Sequence, residues 1–278
     1  MDQNIKLNEP LVSVDWLNDH LEALNLVILD ATMDKVVDPS SSASNDIQIP
    51  KARFFDIKNK FSDTSNPYPN AVPKEDQFTK EAQKLGINKD SAIVVYDDNG
   101  IYSSARAWWL FRAFGHNNVA VLNGGLPEWV NANYEVEPKK PYKGSKGNFK
   151  GEYNSQFFKF FDDIIKANDD KKHMILDARS ADRFYGRVKE PREGLRSGQI
   201  PNSKSLPYTE LIFGNKLKPV DDLASIFNNF NGAEKNLVFS CGSGITASVL
   251  ALGADIAGFK KLSVYDGSWT EYGSLTKE

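Results

Sequence analysis

"AIVVYDDNGIYSSARAWWLFRAFG", residues 92–115, and "NLVFSCGSGITASVLALGADIAGF", residues 236–259, share one internal order. In each stretch an apolar run predicts a buried strand, a loop containing glycine follows, and an apolar segment of helical length ends at a glycine, as helices commonly do. In the second stretch the helix is predicted from Ile245 to Ala257. The pattern therefore indicates two copies of one strand-loop-helix unit.

Further pairs of segments extend this repeat over the rest of the chain. Val27–Ala31 and Met174–Ala178 are both apolar strands that end in Asp-Ala, and "VAVLNGGLPEW" has its counterpart in "LSVYDGSWTEY". The repeat is too long for a solenoid and suits two domains. Because strands alternate with helical segments, we expect an α/β protein of two tandem domains, each a parallel sheet with helices on both faces.

The domain limits follow from composition. Residues 137–153, "EPKKPYKGSKGNFKGEY", are rich in Lys, Gly and Pro and are typical of a linker. We therefore predict an N-terminal domain at 1–136 and a C-terminal domain at 154–278. A second irregular stretch, residues 38–46, is interpreted as a surface excursion within the first domain.

Composition excludes several classes of function. A net charge of −3 carries no basic excess, which argues against nucleic acid or an anionic membrane surface as a partner. No apolar run is long enough to span a membrane. The three histidines, His20, His116 and His173, have no metal-type spacing, so neither a metal site nor another cofactor is indicated.

The single cysteine and the N-terminus bear on the compartment. One cysteine cannot form an internal disulfide and suits a reducing environment. The first residues lack the apolar core of a signal peptide and the Arg-rich pattern of a transit peptide. The expected location is the cytoplasm.

Cys241 lies in the predicted turn between the strand and the helix of the second copy. Unpaired N–H groups at the start of a helix attract anions and favour a thiolate over a thiol. Backbone N–H groups of the loop, formed by Gly242, Ser243, Gly244, Ile245, Thr246 and Ala247, would cradle such an anion. Ser243 and Thr246 could add hydroxyl donors. The alternative is that Cys241 is a small buried hydrophobe beside an ordinary tight turn.

The two copies differ at this loop. We place Asp98-Asn99-Gly100-Ile101 of the first copy opposite Cys241-Gly242-Ser243-Gly244 of the second, so the first copy has no thiol there. We expect the second copy to carry the chemistry and the first to support it.

The motifs resemble the two-domain sulfurtransferases of the rhodanese superfamily, of the mercaptopyruvate type. The resemblance covers nearly the whole chain through "FFDI", "SARAWWLFRAFG", "LNGGLPEW", "DARSADRFYGRVKEPREGLRSGQIPNS", "CGSGITA" and "YDGSWTEYG". It implies a catalytic C-terminal domain, an inactive N-terminal domain and a cysteine that carries sulfur as a persulfide. It also implies that Arg183 and Arg192 bind the carboxylate of the substrate, a task suited to the planar guanidinium fork.

Other residues near this segment receive structural interpretations. Arg179 follows the Asp-Ala strand end and is expected to be an ion-pair partner, while Arg187 and Arg196 are expected to lie in a solvated loop. The tryptophans in apolar contexts are assigned to packing, namely Trp108, Trp109, Trp129 and Trp269.

The chain departs from the family pattern in the first half. Mercaptopyruvate-type enzymes often carry a histidine and an aspartate proposed to form a relay with the loop serine. Asn70 and Lys58 stand at those positions. Because an asparagine does not exchange a proton near neutral pH, a relay centred on Ser243 is not expected here.

The resemblance leaves the donor and the acceptor open. A neutral loop beside two arginines favours 3-mercaptopyruvate as donor, and thiosulfate is the alternative, as for a rhodanese. The acceptor could be cyanide, a small thiol or a thioredoxin-like protein. Outside this class, a cysteine phosphatase would need an arginine where the chain has Ala247, and a non-enzymatic tandem binding protein is the remaining alternative.

Overall fold

The computed structural model describes residues 4–36 and 46–277, so the excursion predicted at 38–46 lies, except for Asp46, outside the described residues. The chain forms two compact units. The first comprises Met1–Asp63, Val72–Asn154 and Gly214–Leu217, and the second comprises Thr64–Ala71, Ser155–Phe213 and Lys218–Glu278.

Helices separate most of the strands along the chain. Up to residue 138 the elements are β1 (Leu11–Val12), α1 (Val14–Asp19), β2 (Leu26–Asp30), β3 (Ile47–Gln48), β4 (Arg53–Phe54), α2 (Glu75–Lys84), β5 (Ala92–Tyr96), α3 (Ser104–Ala113), β6 (Val119–Leu122), α4 (Gly125–Asn131) and β7 (Glu137–Pro138).

Helices also separate most of the strands in the rest of the chain. The elements are β8 (Phe158–Lys159), α5 (Phe161–Asp169), β9 (His173–Asp177), α6 (Ala181–Phe184), β10 (Lys204–Ser205), β11 (Ile212–Phe213), β12 (Lys216–Leu217), α7 (Val220–Asn228), β13 (Asn236–Ser240), α8 (Ile245–Ile256), β14 (Leu262–Tyr265) and α9 (Ser268–Leu275). Short 3-10 helices occur at Ser155–Phe157 and Tyr208–Leu211.

Each unit contains a five-stranded sheet with the same topology. The order is β1-β6-β5-β2-β4 in the first unit and β8-β14-β13-β9-β10 in the second. All neighbours within these two sheets are parallel. The predicted α/β class with two tandem domains is confirmed.

The central strands are apolar because both faces of each sheet are covered by helices. Every residue of β5 is buried, as expected for a parallel strand with no solvent face. In the first unit, Val94 and Trp129 belong to one buried cluster, and in the second, Val238 and Trp269 belong to another. In such sheets ligands bind beyond the carboxyl ends of the strands, which places the loop after β13 at the expected edge.

The predicted linker belongs to the first unit. Its first residues form β7, which pairs with β3 in antiparallel fashion. Further along, Phe149 is buried, and its backbone N–H donates to the carbonyl of Ile87 at 3.0 Å. The residue numbers at which one domain ends and the other begins stay a prediction.

Lys139, in the same segment, pairs with two buried carboxylates of the first unit. Its ammonium nitrogen lies 3.0 Å from Asp30 Oδ2 and 3.3 Å from Asp98 Oδ2. Burial, and next the charge of Asp30, raise the pKa of Asp98 to about 6, although Lys139 opposes this shift. Above a pH of about 6, the Asp98 carboxyl is therefore ionised although it is buried and poorly solvated.

We expect Asp98→Asn to become more stable relative to the native chain as pH rises from about 4 to 7. Because the pKa of Asp98 is higher in the folded state, that state binds more protons than the unfolded one in this window, and native stability falls as pH rises. The variant has no such titration, so the difference in unfolding free energy should grow by roughly 2–3 kcal/mol. Urea unfolding across this pH range measures it.

Asp90→Asn is the matched control, because Asp90 is an exposed aspartate of the same unit. Its stability relative to the native chain should change little over the window. A difference for Asp98→Asn that is independent of pH would contradict the assignment of a buried, titrating carboxylate.

Candidate active site

Cys241 is the first residue after β13 and is held by the start of α9. Its backbone N–H donates to Ser268 Oγ at 3.1 Å, and its carbonyl accepts from the N–H of Trp269 at 2.9 Å. The side chain is almost fully buried, with a residue exposure of 2%. The loop backbone is thus fixed at the carboxyl edge of the sheet.

The loop turns toward Cys241 through a glycine. Gly244 has a φ of 81°, a left-handed conformation that favours glycine, and its N–H donates to Cys241 Sγ at 3.1 Å. The 12-residue helix α8 begins at the next residue, so the positive end of its dipole faces the same sulfur. This arrangement stabilises negative charge on sulfur.

The remaining loop residues shape this turn. Ile245 and Ala247 are buried, and Ser248 Oγ donates to the carbonyl of Gly244 at 3.0 Å. Thr270 Oγ1 donates to the carbonyl of Gly242 at 2.5 Å. The contribution of Thr246 to the cradle stays a prediction.

Arg183 and Arg192 come together beside Gly242. A Cβ atom built on Gly242 would lie 3.3 Å from Arg183 Nη2 and 3.4 Å from Arg192 Nη1. Both guanidinium groups therefore approach the residue that follows the cysteine. Because glycine has no side chain, the two cations can reach the loop.

Ser243 accepts two hydrogen bonds from residues that the sequence analysis singled out. Arg192 Nη2 donates to its Oγ at 3.2 Å, and Asn70 Nδ2 donates at 2.9 Å. Asn70 has a φ of 61°, in the left-handed region that asparagine tolerates better than most residues. With two donors on its oxygen, Ser243 can direct its own proton elsewhere. Lys58, the other departure from the family pattern, belongs to the first unit.

Glu190 is a residue of this region that the sequence analysis did not identify. Its carboxylate is buried and accepts from Arg183 Nη2 at 2.5 Å and from Arg179 Nη1 at 2.9 Å. The only sequence signal is its place in "KEPR", two residues before Arg192. Acidic residues are common in such loops, so the pattern alone does not distinguish it.

Arg179 is a buried ion-pair partner, as predicted. Its guanidinium bonds to Asp177, with Nη2 at 2.7 Å from Oδ2, and to the carbonyl of Gly198 at 2.8 Å. Burial alone would lower the pKa of Arg179, but the carboxylates of Asp177 and Glu190 reverse this and raise the pKa above its usual value. The group stays charged and fixed.

The expectations for the two outer arginines are borne out in one case only. Arg187 is exposed and pairs with exposed Asp182 at 3.3 Å. The solvated role predicted for Arg196 is wrong, because its Nη2 donates to Thr276 Oγ1 at 2.6 Å and its guanidinium lies 4.6 Å from the ring centre of Trp269. All four tryptophans assigned to packing are buried.

Comparison with known proteins identifies the two units. Residues 13–132 and 161–275 each match the rhodanese-like domain. The chain belongs to the rhodanese-like family. Its relatives are enzymes, and the chain is a sulfurtransferase of this family.

Three relatives show how far the similarity extends. The 3-mercaptopyruvate sulfurtransferase of Escherichia coli strain K12 is 35% identical over 270 residues, which cover 95% of this chain and 94% of the relative. Thiosulfate/3-mercaptopyruvate sulfurtransferase 1, mitochondrial, of Arabidopsis thaliana is 36% identical over 294 residues, covering 97% and 77%. The crystal structure of SseA from Escherichia coli superimposes with a TM-score of 0.83 at 33% identity, covering 94% and 99%.

The first rhodanese-like domain carries a carboxylate where the second carries the thiol. Strand pairing of β5 with β2, and of β13 with β9, sets the ends of the two central strands at equivalent positions. Cys241 therefore corresponds to Asp97, and its alignment with Asp98 is wrong by one residue. The backbone hydrogen bonds support this correspondence. The carbonyl of Asp97 accepts from the N–H of Leu126 at 3.1 Å, and the carbonyl of Cys241 accepts in the same way from the N–H of Trp269.

The Asp97 carboxylate occupies the backbone cradle of the first rhodanese-like domain. It accepts the N–H groups of Asn99 at 2.9 Å, Tyr102 at 2.9 Å, Ser103 at 3.0 Å and Ser104 at 2.8 Å. These donors belong to the loop and to the start of α3. An internal anion thus fills the position that in the second domain holds the sulfur.

Among residues 4–36 and 46–277, no helix is both long and apolar enough to cross a membrane.

Proposed function

We propose that this sulfurtransferase moves a sulfane sulfur from 3-mercaptopyruvate to a thiophilic acceptor through a persulfide on Cys241. The observation that carries the proposal is the joint position of three groups around Gly242. The N–H of Gly244 donates to Cys241 Sγ, and the guanidinium groups of Arg183 and Arg192 lie beside Gly242. A thiolate and a carboxylate clamp are both needed for this donor.

In the first half-reaction the thiolate of Cys241 attacks the sulfur of the donor. A sulfur–sulfur bond forms, the carbon–sulfur bond breaks, and its electron pair stays on carbon as the enolate of pyruvate. Protonation of that carbon releases pyruvate. The N–H groups of the loop and the dipole of α8 stabilise the thiolate before the transfer and the persulfide anion after it.

In the second half-reaction the acceptor attacks the outer sulfur. The sulfur–sulfur bond breaks, the acceptor keeps the outer sulfur, and Cys241 leaves as a thiolate. A small thiol, cyanide or a thioredoxin-like protein would each supply the required nucleophile. The proposal includes the cytoplasm as the place of this reaction, as expected from the single cysteine.

Ser243 has a donating role in this scheme. Because Asn70 and Arg192 both donate to its oxygen, its proton is available for the thiolate or for the donor. Asn70 does not titrate near neutral pH, so the proposal involves no histidine relay. Arg192 links the carboxylate clamp to this serine.

The first domain, proposed to extend over residues 1–136, would supply no nucleophile, whereas Asn70, which lies within those residues, belongs to the second compact unit and donates to Ser243. Asp97 stands at the position of the nucleophile, and its carboxylate already satisfies the N–H groups of the cradle. A carboxylate oxygen is not a sulfur carrier. The catalytic domain would then be residues 154–278, after the linker at 137–153.

Thiosulfate is the second candidate donor. One of the relatives from Arabidopsis thaliana carries both donors in its name. In this chain, however, Gly242 and Ser243 are neutral, whereas thiosulfate-type loops place basic side chains after the cysteine. Thiosulfate also has no carboxylate remote from the transferred sulfur.

We expect kcat/KM for 3-mercaptopyruvate to exceed that for thiosulfate by tenfold or more, on the order of 1.4 kcal/mol in transition-state binding. The measurement is a side-by-side assay with one common acceptor, which follows pyruvate from one donor and sulfite from the other. Equal or reversed preference would assign the chain to the thiosulfate type and contradict the proposed donor.

A further inference from the structure

Arg183 is held from one side by Glu190. Its Nε donates to Glu190 Oε1 at 3.2 Å, and its Nη2 donates to Oε2 at 2.5 Å. These two bonds occupy one edge of the guanidinium. The opposite edge, formed by Nη1 and the second hydrogen of Nη2, is a fork of its own that can take a carboxylate in bidentate fashion.

Nη2, the nitrogen that belongs to both edges, lies beside the catalytic loop. Arg183 Nη2 is the atom 3.3 Å from the Cβ position of Gly242, and the arginine side chain is 13% exposed. Glu190 therefore sets the direction of the fork. A carboxylate bound there would lie beside the residue that follows Cys241.

Glu190 is fixed in turn by a chain of buried charges that starts at the sheet. Asp177, the last residue of β9, binds Arg179 through both carboxylate oxygens, with distances of 2.7 to 3.1 Å. Arg179 then donates to Glu190 at 2.9 Å. The side chains of Arg179 and Glu190 have no exposed surface, so neither can change partner without losing a buried ion pair.

We propose that Glu190 is a positioning residue for the donor carboxylate. It holds Arg183 with Nη2 beside Gly242, so the fork is already oriented when the donor arrives and less side-chain freedom is lost on binding. The inference rests on the proposed function for its donor. Within that function, Glu190 contributes to recognition of the donor through Arg183, without contacting the donor itself.

Glu190→Gln tests this inference, with Glu193→Gln as the matched control because Glu193 is exposed in the same loop. The glutamine amide would present N–H groups to one of the two arginines, so the fork of Arg183 loses its orientation. We expect KM for 3-mercaptopyruvate to rise about tenfold, with kcat within about threefold of the native value. The control should match the native enzyme.

A second measurement does not depend on sulfur transfer. The chain has one cysteine, so alkylation by iodoacetate and by iodoacetamide reports on Cys241 alone. Iodoacetate carries a carboxylate and iodoacetamide does not, so the ratio of the two rates measures carboxylate recognition beside the thiol. Glu190→Gln should lower this ratio about fivefold or more relative to the native chain and to Glu193→Gln.

The two measurements separate the inference from the proposed function. Failure of the native chain to release pyruvate would overturn the function, whereas the alkylation ratio still tests Glu190. Native KM and a native ratio in folded Glu190→Gln would overturn the inference, as would an equal fall in both alkylation rates. If Glu190→Gln does not fold, Glu190→Asp keeps the buried charge with a shorter reach and must still lower the ratio.

Discussion

Replacing Cys241 with serine is expected to abolish sulfur transfer from 3-mercaptopyruvate, with kcat/KM reduced by at least about a thousandfold. A hydroxyl cannot attack the donor sulfur at neutral pH and cannot hold a persulfide. No other cysteine exists in the chain to take its place. Pyruvate release in the presence of a thiol acceptor measures the loss.

The serine variant should keep its fold, which makes the loss interpretable. Serine is slightly smaller than cysteine, and the backbone contacts of residue 241 with Ser268 and Trp269 do not involve the sulfur. An unchanged midpoint of thermal unfolding would verify this. Sulfur transfer retained by a folded serine variant would remove Cys241 from the mechanism.

Truncation of either clamp arginine should produce the second largest effect. Losing one charge-assisted bidentate contact costs about 1.5–3 kcal/mol, so Arg183→Ala and Arg192→Ala should each lower kcat/KM for 3-mercaptopyruvate roughly ten- to a hundredfold. Steady-state kinetics with a fixed acceptor provide the measurement. Lysine at either position keeps the charge but not the fork, and should restore only part of the activity.

Arg187→Ala is the matched control for both variants. Arg187 lies in the same segment, is exposed and pairs only weakly with exposed Asp182. Its removal should leave kcat/KM near the native value. If Arg183→Ala and Arg192→Ala behaved like this control, the two arginines would not bind the donor and the proposed pocket would be wrong.

Local patterns predicted the fold and the position of Cys241 in the loop between a central strand and a helix. Each Asp-Ala strand end and each strand-loop-helix stretch is a continuous segment of the sequence. One copy of each belongs to the first sheet and the other copy to the second. The loop around Cys241 could be predicted from sequence for the same reason. Its strand, glycines and helix follow one another without a break, so the sequence itself defines the cradle.

The roles that depend on distant residues could not be predicted in this way. Arg196 was assigned to solvent, yet Thr276, its partner, lies 80 positions away. Glu190 acquires its role only when its segment folds back on Arg179 and Arg183. The contact of Asn70 with Ser243 spans 173 positions and was approached through the family resemblance alone.

The placement of Asp98 opposite Cys241 was an error of one position. "YDDNG" contains two adjacent aspartates, and an alignment of the two 24-residue stretches without a gap already pairs Asp97 with Cys241. Strand register agrees with that pairing, because it fixes which residue is first beyond the sheet. Asp97 then caps the start of α3, while Asp98 pairs with Lys139.

Mass spectrometry of the intact chain after treatment with 3-mercaptopyruvate, without an acceptor, tests the central claim most directly. The proposed mechanism predicts one added sulfur atom per chain, located on the peptide that contains Cys241 and released when a thiol acceptor is added. Pyruvate should appear in equal amount. Pyruvate release without an added sulfur on Cys241, in a sample analysed before any acceptor is added, would contradict the persulfide and the mechanism that depends on it.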